Sequence, residues 1–203
     1  MLGREHPDTL TSIDNLANVL NGLGKHEEAQ QMYRQALKGF ENVLGKEHPD
    51  TFASMDILAS VLYSQGKYTE AEEMHRQTLE RRENILGKMH SDTLASMNNL
   101  ALVLNSQGRY EEAEEMHRQT LERRQNTLGR EHPDTLCSMS NLAVVLNSRG
   151  RYEEAEEMYR HTLELRGEVL GLEHPSTQRS RKNLVERLRT SGEAKTLCGH
   201  AHF

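Results

Sequence analysis

A 42-residue period governs this chain. The stretch from Gly87 to Leu128 sets the pattern, and the 42 residues before it, Gly45 to Leu86, match it at 31 positions. A third copy fills 129–170, a more diverged one fills 3–44, and a fifth begins at Gly171 and breaks down after Gly192. A period of this length specifies one supersecondary unit that cannot bury its apolar face alone and must stack on its neighbours. The sequence therefore predicts an array, with residues 1–192 as one repeat solenoid and 193–203 as an irregular or frayed tail.

Each unit reads as two helices. In the first, His6-Pro7-Asp8-Thr9 starts a helix: Pro7 at the first helical position gives up only an N–H without an intrahelical partner, and Asp8 suits the positive helix end. Leu10, Ile13, Leu16, Ala17 and Leu20 then fall at spacings of three and four. Gly24 suits a left-handed C-terminal position. The second helix runs from about His26 to Leu44 with Ala29, Met32, Tyr33, Ala36, Leu37, Phe40 and Leu44 on its apolar face. Short glycine-bounded connections make the two helices antiparallel neighbours.

Comparison down the array separates frame from variation. Leu16, Leu58, Leu100, Leu142 and Leu184 share one column, Leu20, Leu62, Leu104, Leu146 and Leu188 another, and Ala29, Ala71, Ala113 and Ala155 a third. These are packing positions. The second helices begin Glu-rich and end Arg-rich, which complements the helix dipole. Glu72–Arg76, Glu114–Arg118 and Glu156–Arg160 form four-residue-spaced pairs expected on a solvated face. The fifth unit replaces outward apolar residues with Gln178, Arg181 and Arg187 while Leu184, Val185 and Leu188 are expected to face inward, as a capping helix requires. The first helix has no equivalent cap, and self-association through this uncapped N-terminal repeat is one expectation.

The array is polar: hydrophobic residues make up 35% and net charge is −6, which argues against nucleic acid and anionic membrane surfaces as partners. No apolar run approaches bilayer length, and the first residues lack signal-peptide character. Cys137 and Cys198 form no disulfide framework, so a reducing cytoplasm is expected. His6, His48, His90, His132 and His174 recur once per repeat, too far apart for one metal and better suited to starting helices. His200 and His202 in the tail are a weak metal signal. His75 and His117 share a column with Tyr33 and Tyr159 and read as packing residues with polar tips. Isolated glycines make no phosphate-binding loop and no nucleophile lies near a base in sequence. The expectation is a non-enzyme with no cofactor, no metal and no catalytic residue.

The pattern N-N-L-A-x-V-L-x-x-x-G-x-Y-E-E-A-E, followed by M-x-R-x-T-L-E, resembles the tetratricopeptide repeat, with Leu16, Ala17, Leu20, Gly24, Ala29, Tyr33 and Ala36 at that family's signature spacing. The run L-G-x-E-H-P-D-T-L-x-S-x-x-N-L-A and the 42-residue period resemble the long repeat of kinesin light chains. The resemblance implies an all-α, right-handed superhelical solenoid of antiparallel helix pairs: four full repeats (3–44, 45–86, 87–128, 129–170) and a capping helix within 171–192. The sequence departs from the family at its usual Trp column, which holds Ile13, Met55, Met97 and Met139. It also contains no coiled-coil heptads for joining a motor.

In such a superhelix the first helices line the concave side, and the family's peptide contacts lie on their outward columns. Here those columns hold Asp14, Asn15, Asn18 and Asn21, then Asp56, Ser60 and Tyr63. The third unit gives Asn98, Asn99, Leu102 and Asn105, and the fourth Ser140, Asn141, Val144 and Asn147. Asn offers both a donor and an acceptor to an extended peptide backbone. Basic residues enter these columns only as Arg179, Lys182 and Arg189, so the two-carboxylate clamp of some chaperone-binding members is absent. The expected function is a scaffold that binds a protein or peptide in a concave groove. A kinesin-light-chain-like cargo adaptor fragment and a self-associating module of a larger signalling protein are the alternatives.

Overall fold

A computed structural model describes residue 3 and residues 5–190. Nine α-helices and no strand are present among the described residues: α1 (Pro7–Gly22), α2 (His26–Leu44), α3 (Pro49–Ser64), α4 (Tyr68–Leu86), α5 (Ser91–Ser106), α6 (Tyr110–Leu128), α7 (Pro133–Ser148), α8 (Tyr152–Leu170) and α9 (Pro175–Thr190). First helices have 16 residues and second helices 19. The described residues pack as two compact units, one up to residue 107 with α1–α5 and one from residue 108 with α6–α9.

The repeated motifs set the helix boundaries. The Nδ1 of His6, His48, His90, His132 and His174 accepts the backbone N–H two residues on, each at 3.2 Å. The five histidines are therefore N-caps, filling a role usually given to Ser, Thr, Asp or Asn. Gly24 ends the first hairpin turn at φ 78° and Gly45 follows α2 at φ 91°, ψ 164°, backbone that a side chain strains. The same two glycine positions recur with positive φ through Gly171.

In the first unit, Leu10, Ala36 and Phe40 form one core cluster, and Ala17, Ala29, Tyr33, Leu58, Val61, Leu62, Ala71 and Val103 form another. Gly39 admits α1 closely because a Cβ there would collide with the Leu10 side chain. In the second unit Leu121, Leu136, Met139, Leu142, Ala143, Leu146, Ala155 and Tyr159 pack with Leu184 and Leu188 of α9. The alanine column at 29, 71, 113 and 155 is fully buried, as close helix approach requires.

Two packing expectations are corrected. Leu16 is 51% exposed whereas Leu58, in the same column, is 1% exposed. Leu58 packs with Ala29 and Tyr33 of the preceding α2, and no described helix precedes α1 to cover Leu16. Val185 of the cap helix is likewise exposed, while Leu184 and Leu188 are buried. Its column holds Ala17 in the first repeat, which packs with α2 of its own hairpin, and no described helix follows α9. Gly192, residues 193–203, Cys198, His200 and His202 lie outside the described residues.

Candidate functional site: the first-helix faces

In the first unit, α1 presents Thr11, Asn15 and Asn18 to solvent, and α3 presents Ala53, Ser60 and Tyr63. Asn18 accepts the Tyr33 hydroxyl at 2.6 Å, which holds its amide in place, and the Tyr63 hydroxyl lies 2.9 Å from Ser106 Oγ on α5. Asn21 is half-buried, its Oδ1 accepting from His26 Nδ1 at 2.8 Å. On α5, Asn99, Leu102 and Asn105 are half-buried. In the second unit Ser140, Asn141, Val144 and Asn147 of α7 are all half-buried, Val144 packing against the core. Arg179, Lys182 and Arg189 of α9 are exposed.

One column does not line an open surface. Asp14 and Asn98 are buried, and Asp56 and Ser140 are half-buried. Each lies four residues after a buried apolar anchor (Leu10, Phe52, Leu94 and Leu136), on the edge of the stripe that turns toward the second helices. Asp56 takes Arg82 at 2.8 Å and stands 3.7 Å from His75 Nδ1. Burial pushes the Asp14 carboxyl up to about 6, with Ser54 beside it opposing the rise. The expectation that this column points away from the core is thereby corrected for Asp14 and Asn98.

The structure contains a polar layer that sequence reasoning missed. Arg82, Arg124 and Arg166 are buried. Arg82 donates to Ser96 Oγ at 2.7 Å, Arg124 to Ser138 Oγ at 2.9 Å and the Asp134 carbonyl at 2.8 Å, and Arg166 to Ser180 Oγ at 2.5 Å and the Ser176 carbonyl at 3.1 Å. Each arginine thus ties a second helix to the following first helix. The first repeat has Phe40 in this column, so Ser54, the corresponding serine, has no guanidinium donor from the preceding second helix and stands beside Asp14 instead. A Phe standing where later copies carry Arg was the available signal that the column faces inward.

A second cluster departs from the solvated-face expectation. Glu114 is buried and receives Arg118 at 2.8 Å, Arg151 at 2.6 Å and Arg149. Burial raises its pKa, but hydrogen bonds from these three guanidiniums outweigh it and hold the carboxyl at about 2. His117 is fully buried; burial first, then the nearby Arg124 charge, pulls its pKa down to about 4. His75 and His117 do pack inside, as their column predicts. An open cleft of about 500 Å³ lies off the first-helix columns, over Leu37, Leu58, Leu62 and Met74, with Arg34 and Glu70 bridged at 2.8 Å on its rim.

Stacked helical hairpins with a repeated buried frame and a variable first-helix surface define the class: an all-helical repeat solenoid. The tetratricopeptide repeat profile matches residues 8–84, 92–168 and 134–195, and the chain belongs to that family. Two crystal structures of a Podosopora anserina protein designated a kinesin light chain with nearly identical TPR-like repeats are similar to it. One matches at 28% identity and TM-score 0.78, covering 96% of this chain and 91% of that one. The other matches at 29% identity and TM-score 0.76, covering 94% and 90%. BtubC (BKLC) from P. vanneervenii shares the fold at 22% identity and TM-score 0.77, covering 93% of this chain and 75% of that one. No curated protein matches significantly. Binding of proteins or peptides is general to the family, and no described helix is long and apolar enough to cross a membrane.

Proposed function

We propose that this chain is a non-catalytic interaction scaffold whose first-helix faces hold an extended peptide with polar and small apolar side chains. The observation that carries this reading is the exposure of Asn15, Asn18, Thr11 and Ser60 beside a buried, repeated frame. Amides that present both a donor and an acceptor can pair with peptide backbone in either sense. Asn18 is held by Tyr33, so part of the entropy of ordering it is already lost before binding. Asp14 and Asn98 leave the contact set because they are buried; the contacts proposed are Asn15, Asn18, Asn21, Asp56, Ser60, Tyr63, Asn99, Leu102, Asn105, Ser140, Asn141, Val144 and Asn147. The natural setting proposed is the cytoplasm.

A peptide-array screen tests the reading. The wild-type chain selects a set of sequences, and Asn99→Ala with Asn141→Ala changes that set. An unchanged set would remove the first-helix assignment. A second reading, cargo adaptation in the manner of kinesin light chains, draws on the likeness to the Podosopora anserina structures. It predicts that fusing this chain to a motor-binding coiled coil recruits the same peptides to a motor.

A further inference from the structure

The turn after α1 departs from the later repeats in its chemistry. Asn21 is followed by Gly22, where the later copies have Ser64, Ser106 and Ser148, and His26 stands where they have Tyr68, Tyr110 and Tyr152. Asn21 and His26 meet: the side-chain Oδ1 of Asn21 accepts a hydrogen bond from His26 Nδ1 at 2.8 Å. We propose that Asn21-Gly22 is a self-modifying site, where the Gly22 backbone nitrogen converts the Asn21 amide to an aspartyl or isoaspartyl group and His26 is the donor to the reacting carbonyl.

Water is the only co-reactant. The Gly22 nitrogen loses its proton to solvent and bonds to Asn21 Cγ, the bond from Cγ to the side-chain nitrogen breaks, and ammonia leaves with a proton taken from solvent. Water then opens the five-membered imide at either carbonyl, so one water is consumed and one ammonia released. In the tetrahedral intermediate negative charge gathers on Asn21 Oδ1, the atom to which His26 already donates. Gly22 favours the attack in two ways. It has no side chain to shield its nitrogen, and a Cβ there would meet nothing within 4 Å, so the surroundings do not shield it either. It also lowers the cost of leaving helical backbone, and Asn21 and Gly22 are the last two residues of α1, where helices fray. The openness belongs to the turn and recurs: Gly24 and Lys25 are exposed, as are Gly66 and Lys67 in the next repeat. Conversion adds a negative charge to a stretch, Thr9 to Gly24, whose single ionisable side chain is the buried Asp14. The isoaspartyl form also inserts a methylene into the main chain where the Asn21 carbonyl accepts the Gly24 N–H at 3.0 Å, and so undoes the end of α1. An effect on peptide binding rests on the first-helix reading, to which Asn21 belongs; the reaction itself does not.

Peptide mapping by mass spectrometry, on full chain kept folded at neutral pH over weeks, reads the conversion. Asn105-Ser106 and Asn147-Ser148, the same column without the glycine, are controls within the chain. Position 21 gains the mass of an amide-to-acid exchange, with aspartyl and isoaspartyl forms separating on chromatography, before either control does. Gly22→Ser slows it about fivefold or more, and His26→Tyr about three- to tenfold. Each substitution copies the residue that later repeats carry in the same turn, so melting temperature and far-UV circular dichroism stay close to wild type. A variant that unfolded would convert faster, so loss of fold cannot imitate the expected slowing. Position 21 converting no faster than the two controls overturns the proposal, as does an unchanged or higher rate in either variant. No peptide enters the measurement, so its failure leaves the first-helix reading standing, and an unchanged peptide-array set leaves this inference standing.

Discussion

Asp14 shows how a residue's surroundings can defeat its sequence position. Its column alternates in type, which made it look like an outward-facing contact, yet its carboxyl is buried and its pKa lifted to about 6. Below the ordinary value of 3.8 folded and unfolded chains are both protonated and no penalty exists. As pH rises from 3.8 to about 6 the unfolded chain ionises first, so stability falls across that window and stays lower above it. Asp14→Asn removes the penalty. It should gain about 1–3 kcal/mol in urea unfolding at pH 7.5 and gain almost nothing near pH 3.5. Equal stability at pH 7.5 would contradict the burial argument. The buried arginines give the opposite sign. Arg124→Ala removes the donor to the buried Ser138 hydroxyl and to the Asp134 carbonyl, and should cost about 1–3 kcal/mol. Exposed Arg118→Ala should cost under about 1 kcal/mol in the same assay.

At the scale of the helix, most of the architecture was legible in the sequence. The His-Pro-Asp motif started first helices where the structure starts them, and the second helix from His26 to Leu44 has the boundaries the pattern implied. Those signals are local: caps, glycines and a 3.6-residue spacing. What was not legible depended on neighbouring elements. Leu16 and Leu58 hold the same column of the repeat, and the presence of α2 in front of α3 distinguishes the buried leucine from the exposed one. Arg124 and Glu114 were likewise read as surface charges, because their inward orientation comes from the serine, the carbonyl and the arginines that neighbouring elements bring to them. Helix α9 tests the logic of stacking. Removing residues 171–203 takes Leu184 and Leu188 from the core that contains Leu142 and Leu146. The loss should be about 3–6 kcal/mol and should lower the urea midpoint. An unchanged midpoint would mean that α9 is not a cap.

Across the molecule, repetition divides the residues into two groups. Leucine and alanine columns recur because stacking demands them, and a variable remainder is left on the first helices. That division was visible in the sequence; which variable side chains reach solvent was not, and burial removes Asp14 and Asn98 from the set. The central claim is that the first-helix faces, and not the charged second-helix surface, receive the partner. Calorimetry with one array-selected peptide compares Asn15→Ala with Asn18→Ala, and Asn99→Ala with Asn141→Ala, against exposed second-helix controls Gln31→Ala, Glu73→Ala and Gln119→Ala. The account predicts a loss of about tenfold or more in affinity for at least one first-helix pair, with controls at wild-type affinity. Full affinity in both first-helix pairs, with a loss in the controls, would contradict it.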